Sequence, residues 1–307
     1  MAAPIVLTTS TTEFQILPTG YLQASLFKGG QKLSLDEPRQ GGLGESDYLV
    51  QEGKEIHFTL NFGETKITEA AGKLGRGKRV EIPAQPLGPS GTSLRRTLRI
   101  EVYDNFPTLL LSSMAYTNTG SSEYHIDRII EQQHRFNSHG VREHPYDMWS
   151  YQGASYDWGK DDVAKLTSRF SQPNLMGGIV KGGYGGGIPV VAFWTASVGE
   201  AVGHVETLPL TLSLPVKVER DGRVNTSVTI PANTVLKPGE TYSTPRSFVA
   251  IYSGDFYEPL RLWSSVLQKE GWGNSPNLRA RLTTSAGAVG DTSLMSHRRK
   301  CWVRFPN

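Results

Sequence analysis

The chain has 307 residues, with 32 Lys and Arg against 29 Asp and Glu and a formal net charge of +3. That length supports one large domain or two modest ones with an ample core. A single cysteine, Cys301, excludes a disulfide framework and a cysteine-based zinc site. The charge excess falls in the tail, where Arg298, Arg299, Lys300 and Arg304 face one acid, Asp291, so nothing on the body of the chain argues for nucleic acid.

The opening Met-Ala-Ala-Pro-Ile-Val-Leu has no basic n-region and no long apolar stretch, and so does not read as a secretory signal. No apolar run approaches the ~20 residues that span a bilayer. A cytoplasmic protein with no membrane partner is expected. Ser25-Leu-Phe-Lys28 matches Ser-x-x-Lys, but the companion motifs of β-lactamase-type enzymes are missing and no Gly-x-Ser-x-Gly elbow occurs. The segment Gly72 to Gly91, rich in Gly, Pro and basic residues, reads as a mobile surface loop.

Alternation then dominates. Leu98, Ile100 and Val102 share a face, and Leu109-Leu110-Leu111 fits a strand buried on both faces. Glu123, His125 and Asp127 alternate, with Glu131, His134, His139, Glu143 and His144 following. This is the densest group of metal-ligand types in the chain. Carboxylates there would suit Ca²⁺, and histidine with carboxylate would suit Zn²⁺. No His-Glu-x-x-His spacing occurs, and a solvated strand face explains the same pattern.

Next comes an aromatic stretch, Trp149-Ser-Tyr-Gln-Gly-Ala-Ser-Tyr-Asp-Trp158. Trp149, Tyr151, Tyr156 and Trp158 offer ring faces for a sugar, and Gln152 and Asp157 offer partners for its hydroxyls. The same aromatics would equally fill a domain interface, and left uncovered they favour a homo-oligomer. Gly177 to Gly187 is glycine-rich but lacks the Gly-Lys-Ser/Thr ending of a phosphate loop, and reads as a turn before a strand from Ile188 that carries Trp194. His204 and Glu206, two apart, share a sheet face and suggest a sugar-contacting or proton-transfer pair; a satisfied polar pair is the structural alternative. Leu210, Leu212, Leu214, Val216 and Val218 alternate, Asp221-Gly222 marks a hairpin, and Val224, Val228 and Ile230 continue the pattern.

One amphipathic helix follows. Phe256, Leu260, Trp263 and Leu267 form a single stripe, Asp255 is placed to cap it with Glu258 three residues on, and Gly271 ends it. From about Ser285 neither period survives. Read from the third base of each codon, residues 286–295 can spell Trp-Cys-Ser-Trp-Gly-Tyr-Glu-Phe-Asp-Val, an apolar, aromatic phrase like an opening barrel strand. The organisation expected is a β-sandwich over 1–254, a linker helix over 255–272 and a tail over 273–307, frameshifted from about 285 and disordered.

Met148-Trp-Ser-Tyr-Gln-Gly-Ala-Ser-Tyr-Asp-Trp-Gly-Lys160, Gly185-Gly-Gly-Ile-Pro-Val-Val-Ala-Phe-Trp194, Gly203-His-Val-Glu206, Asp255-Phe-Tyr-Glu-Pro-Leu-Arg-Leu-Trp263 and Gly271-Trp272, in that order, resemble α-galactosidases of glycoside hydrolase family 36. The resemblance covers about residues 13–284. It implies an all-β fold, a large antiparallel β-supersandwich of the galactose-mutarotase type with one C-terminal linker helix. In such enzymes a catalytic (β/α)₈ barrel follows and carries both catalytic carboxylates. The resemblance therefore assigns no catalytic residue to this chain and no cofactor. It implies a non-catalytic, carbohydrate-associated domain that binds galactosides weakly. Two enzymatic alternatives stand beside it: a metal-assisted hydrolase of a small ester or lactone using the residue 123–144 cluster, and a mutarotase-like isomerase using His204 and Glu206.

Overall fold

The computed structural model describes residues 3–38, 47–86, 93–141, 147–154, 160–176, 179–180, 183–184, 187–208 and 210–272. The expected tail lies outside these residues, as do Glu143, His144, Tyr156, Asp157 and Trp158. The described chain is antiparallel β throughout, closed by one helix at Tyr257–Glu270. This is the all-β class the alternation predicts.

A four-stranded meander opens the fold: Ile5–Thr8, Thr12–Ile16, Leu22–Lys28 and Gln31–Leu33. Two large sheets follow. In the first, Tyr48–Gln51 pairs with Arg128–Phe136, which pairs with Val224–Ile230, which pairs with Val216–Val218. In the second, neighbours run from Lys66–Gly72 through Gly75–Pro86, Leu94–Tyr103, Phe106–Asn118, Ser247–Tyr252, Gly199–His204, Val190–Trp194 and Trp149–Gln152 to Val163–Lys165. Lys54–Leu60 pairs with a strand of each sheet and joins them along one side.

The main core fills with residues such as Ile82, Leu98, Ile100, Leu110, Ile129, Phe136, Phe193, Val228 and Val249. A second apolar layer lies on the opposite face of the second sheet. Leu109, Leu111, Val190, Ala192, Phe248 and Ala250 meet Val266 and Leu267 of the helix there. This explains why Leu109-Leu110-Leu111 and Val190–Phe193 read as unbroken apolar runs: both faces of these strands are covered. Burying Val266 and Leu267 contributes about 1.5–3 kcal/mol each. The cap forms as expected, with the Tyr257 amide donating to Asp255 Oδ1 at 3.0 Å. Gly271 takes φ +104°, the left-handed stop a side chain resists.

The structure departs from one local expectation. The segment from Gly72 is a long hairpin, not a mobile loop, as far as Pro86; residues 87–91 lie outside the described residues. Its inward residues Val80, Ile82 and Ala84 alternate beneath polar and charged neighbours, while Gly77 lies on the other face. Gly77 is small because a Cβ there would overlap the Val102 carbonyl of the next strand. The run Leu210–Val218 keeps its expected alternation, with Leu212, Leu214, Val216 and Val218 buried, and forms two short strands, Leu212–Ser213 and Val216–Val218. Pro215 has no N–H for the ladder, and Leu214 donates to Asn174 O instead, at 3.1 Å.

Candidate functional site

The aromatic stretch becomes an edge region of the second sheet. Trp149 stands opposite Trp194 across the strand pair and is 43% exposed. Tyr151 is buried and stacks on Phe256 (5.3 Å between centroids, 3° between planes), and Phe256 stacks on Tyr257 at 4.3 Å. Trp194 leans on Phe256 at 5.8 Å. The result is a ladder of rings rising from the sheet to Tyr257, which is 61% exposed at the start of the helix. Helix and strand thus build one aromatic ledge. Burial pushes the Tyr151 hydroxyl up to about 12, so it stays a neutral phenol.

Beneath the ledge the backbone is tightly packed. The Ile188 amide donates to Gly153 O at 3.0 Å. A Cβ on Gly153 would overlap the Ile188 and Val190 carbonyls, and one on Gly187 (φ +121°) would overlap Gly153 O. The glycines therefore let two chain segments touch. Gln152 points inward. Its Oε1 accepts from Asn174 Nδ2 at 2.6 Å and its amide nitrogen donates to Ser150 Oγ. Asn174 also donates to Leu214 O and accepts from the Ala154 amide, so the Gln152–Asn174 pair knits strands together under the ledge.

His204 ends its strand, buried, with Nδ1 accepting the Glu206 amide at 3.2 Å. Burial pushes its imidazole down to about 4, so the ring is neutral. The Glu206 carboxylate turns to Arg246, whose amide and Nε it accepts at 2.8 and 3.2 Å, and Arg246 reaches on to Glu270 of the helix. The Trp263 indole donates to His204 O at 2.9 Å. These residues pin the helix to the sheet end.

Glu123 and His125 are exposed and Asp127 half-buried along a short strand pair; Asp127 Oδ2 accepts the Gly53 amide at 3.4 Å. The ligand atoms of these three do not converge. Among the described residues, the group of three that does is Asp36, His134 and Glu200, with ligand atoms all within 4.8 Å of one another.

That group lies in the core. Asp36 follows the N-terminal meander, His134 is on Arg128–Phe136 and Glu200 is on Gly199–His204. Asp36 Oδ1 accepts from Tyr21 Oη at 2.6 Å and faces His134 Nδ1 at 3.0 Å, while Oδ2 accepts the Ala24 amide at 2.7 Å. Glu200 Oε1 accepts the Leu35 amide at 2.6 Å. Burial, and then the Asp36 carboxylate against it, raise Glu200 well above the usual range. A polar seam runs onward from His134 Nε2 to Gln132 Oε1 (3.0 Å), from Gln132 Nε2 to Ser112 Oγ (2.9 Å) and on to Ser247 Oγ (3.2 Å). Beside it, Thr244 Oγ1 donates to the buried Glu131 at 3.1 Å. A bulge makes this possible: three steps from Glu131 to His134 oppose two from Val228 to Thr226, with Gln132 at φ +50°. In the sequence the seam shows as Glu131 and His134, both in the group of metal-ligand types that begins at Glu123, and as Glu200, an acid within Val198–Val205.

A cleft of about 570 Å³ opens between the helix and the meander, lined by Phe27, Lys28, Phe106, Glu258 and Arg261 among others. Lys28 Nζ is tied there to Ser253 Oγ at 2.7 Å. No helix among the described residues is long and apolar enough to cross a membrane.

No family model and no curated protein matches the sequence. Solved structures do match the fold. The α-galactosidase from Lactobacillus brevis superposes with a TM-score of 0.58 at 12% identity, over 87% of this chain and 42% of its own. A variant of the family 36 α-galactosidase AgaA from Geobacillus stearothermophilus, in complex with 1-deoxygalactonojirimycin, gives 0.52 at 13% identity, over 86% and 42%. A TPR-domain containing protein from Parabacteroides distasonis gives 0.52 at 10% identity, over 83% and 48%. The chain spans about 42% of the length of the α-galactosidases it matches, and over that part it shares the fold of glycoside hydrolase family 36 enzymes.

Proposed function

We propose that the chain is a non-catalytic, carbohydrate-associated sandwich of the family 36 α-galactosidase type, and that its aromatic ledge meets a galactoside weakly. The ring ladder Tyr151–Phe256–Tyr257, flanked by Trp149 and Trp194, supports this reading. Apolar ring faces at an exposed edge suit the C–H faces of a hexose. A one-sided ledge buries little of a sugar, so affinity is low. The matched structures include AgaA variants in complex with raffinose and with stachyose, and these galactosides are the ligands to try.

No turnover is expected from the buried carboxyl pair. A retaining glycosidase needs two carboxyls about 5–5.5 Å apart on either side of a sugar. Asp36 and Glu200 are close enough, but both side chains are fully buried, so no sugar enters between them. Incubation with an aryl α-galactoside, with released phenol followed against a heat-denatured control, is the test. No release above the control is expected; turnover that scales with folded protein contradicts the non-catalytic reading.

A further inference from the structure

We propose that Asp36, His134 and Glu200 form a structural site for one divalent first-row metal ion, Zn²⁺ by its donor set, where the N-terminal meander meets the two large sheets. The neighbours of His134 fix which ring nitrogen carries a proton. Gln132 commits its amide nitrogen to Ser112 Oγ, so it turns its carbonyl oxygen to His134 Nε2. That oxygen only accepts, so Nε2 carries a ring proton. Nδ1 faces Asp36 Oδ1, 3.0 Å away, an oxygen that already accepts from Tyr21. Either a second ring proton or a metal ion must lie between this nitrogen and the carboxylate.

A second observation points to the same place. Glu200 is fully buried, and while its Oε1 accepts the Leu35 amide, no N–H or O–H of the surrounding residues donates to its Oε2, and its carboxyl group lies against the Asp36 carboxylate. A lone pair left so in a core costs free energy unless something binds it. Imidazole nitrogen with two carboxylate oxygens suits Zn²⁺, whereas Ca²⁺ takes six to eight oxygens. The surroundings fit an outer shell that orients ligands: Gln132 fixes the ring, and Tyr21 and the Ala24 amide hold the Asp36 carboxylate. His134 is further fixed by stacking on Phe136 at 5.3 Å. The three ligands come from segments about 100 and 66 residues apart (Asp36 to His134 to Glu200), so the ion would staple the meander to both sheets.

The competing occupant is protons alone, shared among the three groups. The full chain is refolded from denaturant with EDTA or with Zn²⁺, gel-filtered, and assayed for metal content and thermal midpoint. The site predicts one Zn²⁺ per chain and a higher midpoint with Zn²⁺ than with EDTA. Glu200→Gln and His134→Gln are each expected to lower Zn²⁺ affinity by about tenfold or more. X-ray absorption at the zinc edge on the wild-type chain does not depend on the variants folding, and should show one imidazole with oxygen donors. No retained Zn²⁺ with identical midpoints would overturn the proposal in favour of shared protons. Two or more imidazoles at the metal, or variants that fold and keep the ion, would place it elsewhere.

Discussion

Glu131→Gln tests the energetics of the polar seam. Glu131 is fully buried beside the Arg96–Asp47 ion pair, with one carboxyl oxygen accepting from Thr244 and the other unpartnered. Burial pushes its carboxyl from an ordinary 4.5 up to about 8; the Ser247 and Thr244 hydroxyls pull the other way without winning. Between those values the folded chain holds a proton that the unfolded chain has released. The stabilisation from the neutral acid is therefore complete below 4.5 and is lost as pH rises through 8. At about 1.4 kcal/mol per pH unit the loss is at most about 5 kcal/mol, and about 2–5 kcal/mol is expected. Glutamine cannot ionise, so the variant should lack this fall. Urea unfolding at a series of pH values measures it. The stability difference between variant and wild type should move in the variant's favour by about 2–4 kcal/mol from pH ~5 to ~8.5. Parallel stability curves over that range would refute the reasoning.

Three further changes probe other parts of the fold. His204, held down to about 4 by burial against an ordinary 6.5, contributes stability that is present above 6.5 and lost as pH falls through 4. His204→Gln should remove about 2–3 kcal/mol of that acid-side loss, read from unfolding curves in the same pH series. Gly153→Ala forces a methyl into the Ile188 and Val190 carbonyls and should cost about 3 kcal/mol, seen in the urea midpoint. Asp255→Ala removes the acceptor for the Tyr257 amide and should cost about 1 kcal/mol, with faster amide exchange in the first helical turn.

Much of the architecture is legible in the sequence because it rests on local periods. Alternation marks Leu98–Val102 and Val224–Ile230, and the stripe, cap and stop mark the helix to within a residue or two. The Gly72–Pro86 hairpin is hidden because composition masks pattern: Gly, Arg and Lys suggest a loop while Val80, Ile82 and Ala84 alternate inward. The ledge is half legible. Trp149 and Trp194 stand out as aromatics, but Phe256 reads as a core-facing helix position until its stacking on Tyr151 is seen. The Asp36–His134–Glu200 group is least legible. Its members sit on distant segments, and the bulge at Gln132 resets the alternation that would show which side chains turn inward.

The proposed role of the aromatic ledge is to meet a galactoside. Titration of raffinose followed by saturation-transfer NMR, comparing the wild-type chain with Trp149→Ala, tests it most directly. Trp149 is 43% exposed, so its loss should leave the thermal midpoint nearly unchanged. The account predicts transfer to the galactosyl protons in the wild type and at least about a tenfold weaker affinity in the variant, the loss of one good stacking contact of about 1.4 kcal/mol. Equal transfer to both chains, or none to the wild type, would contradict it.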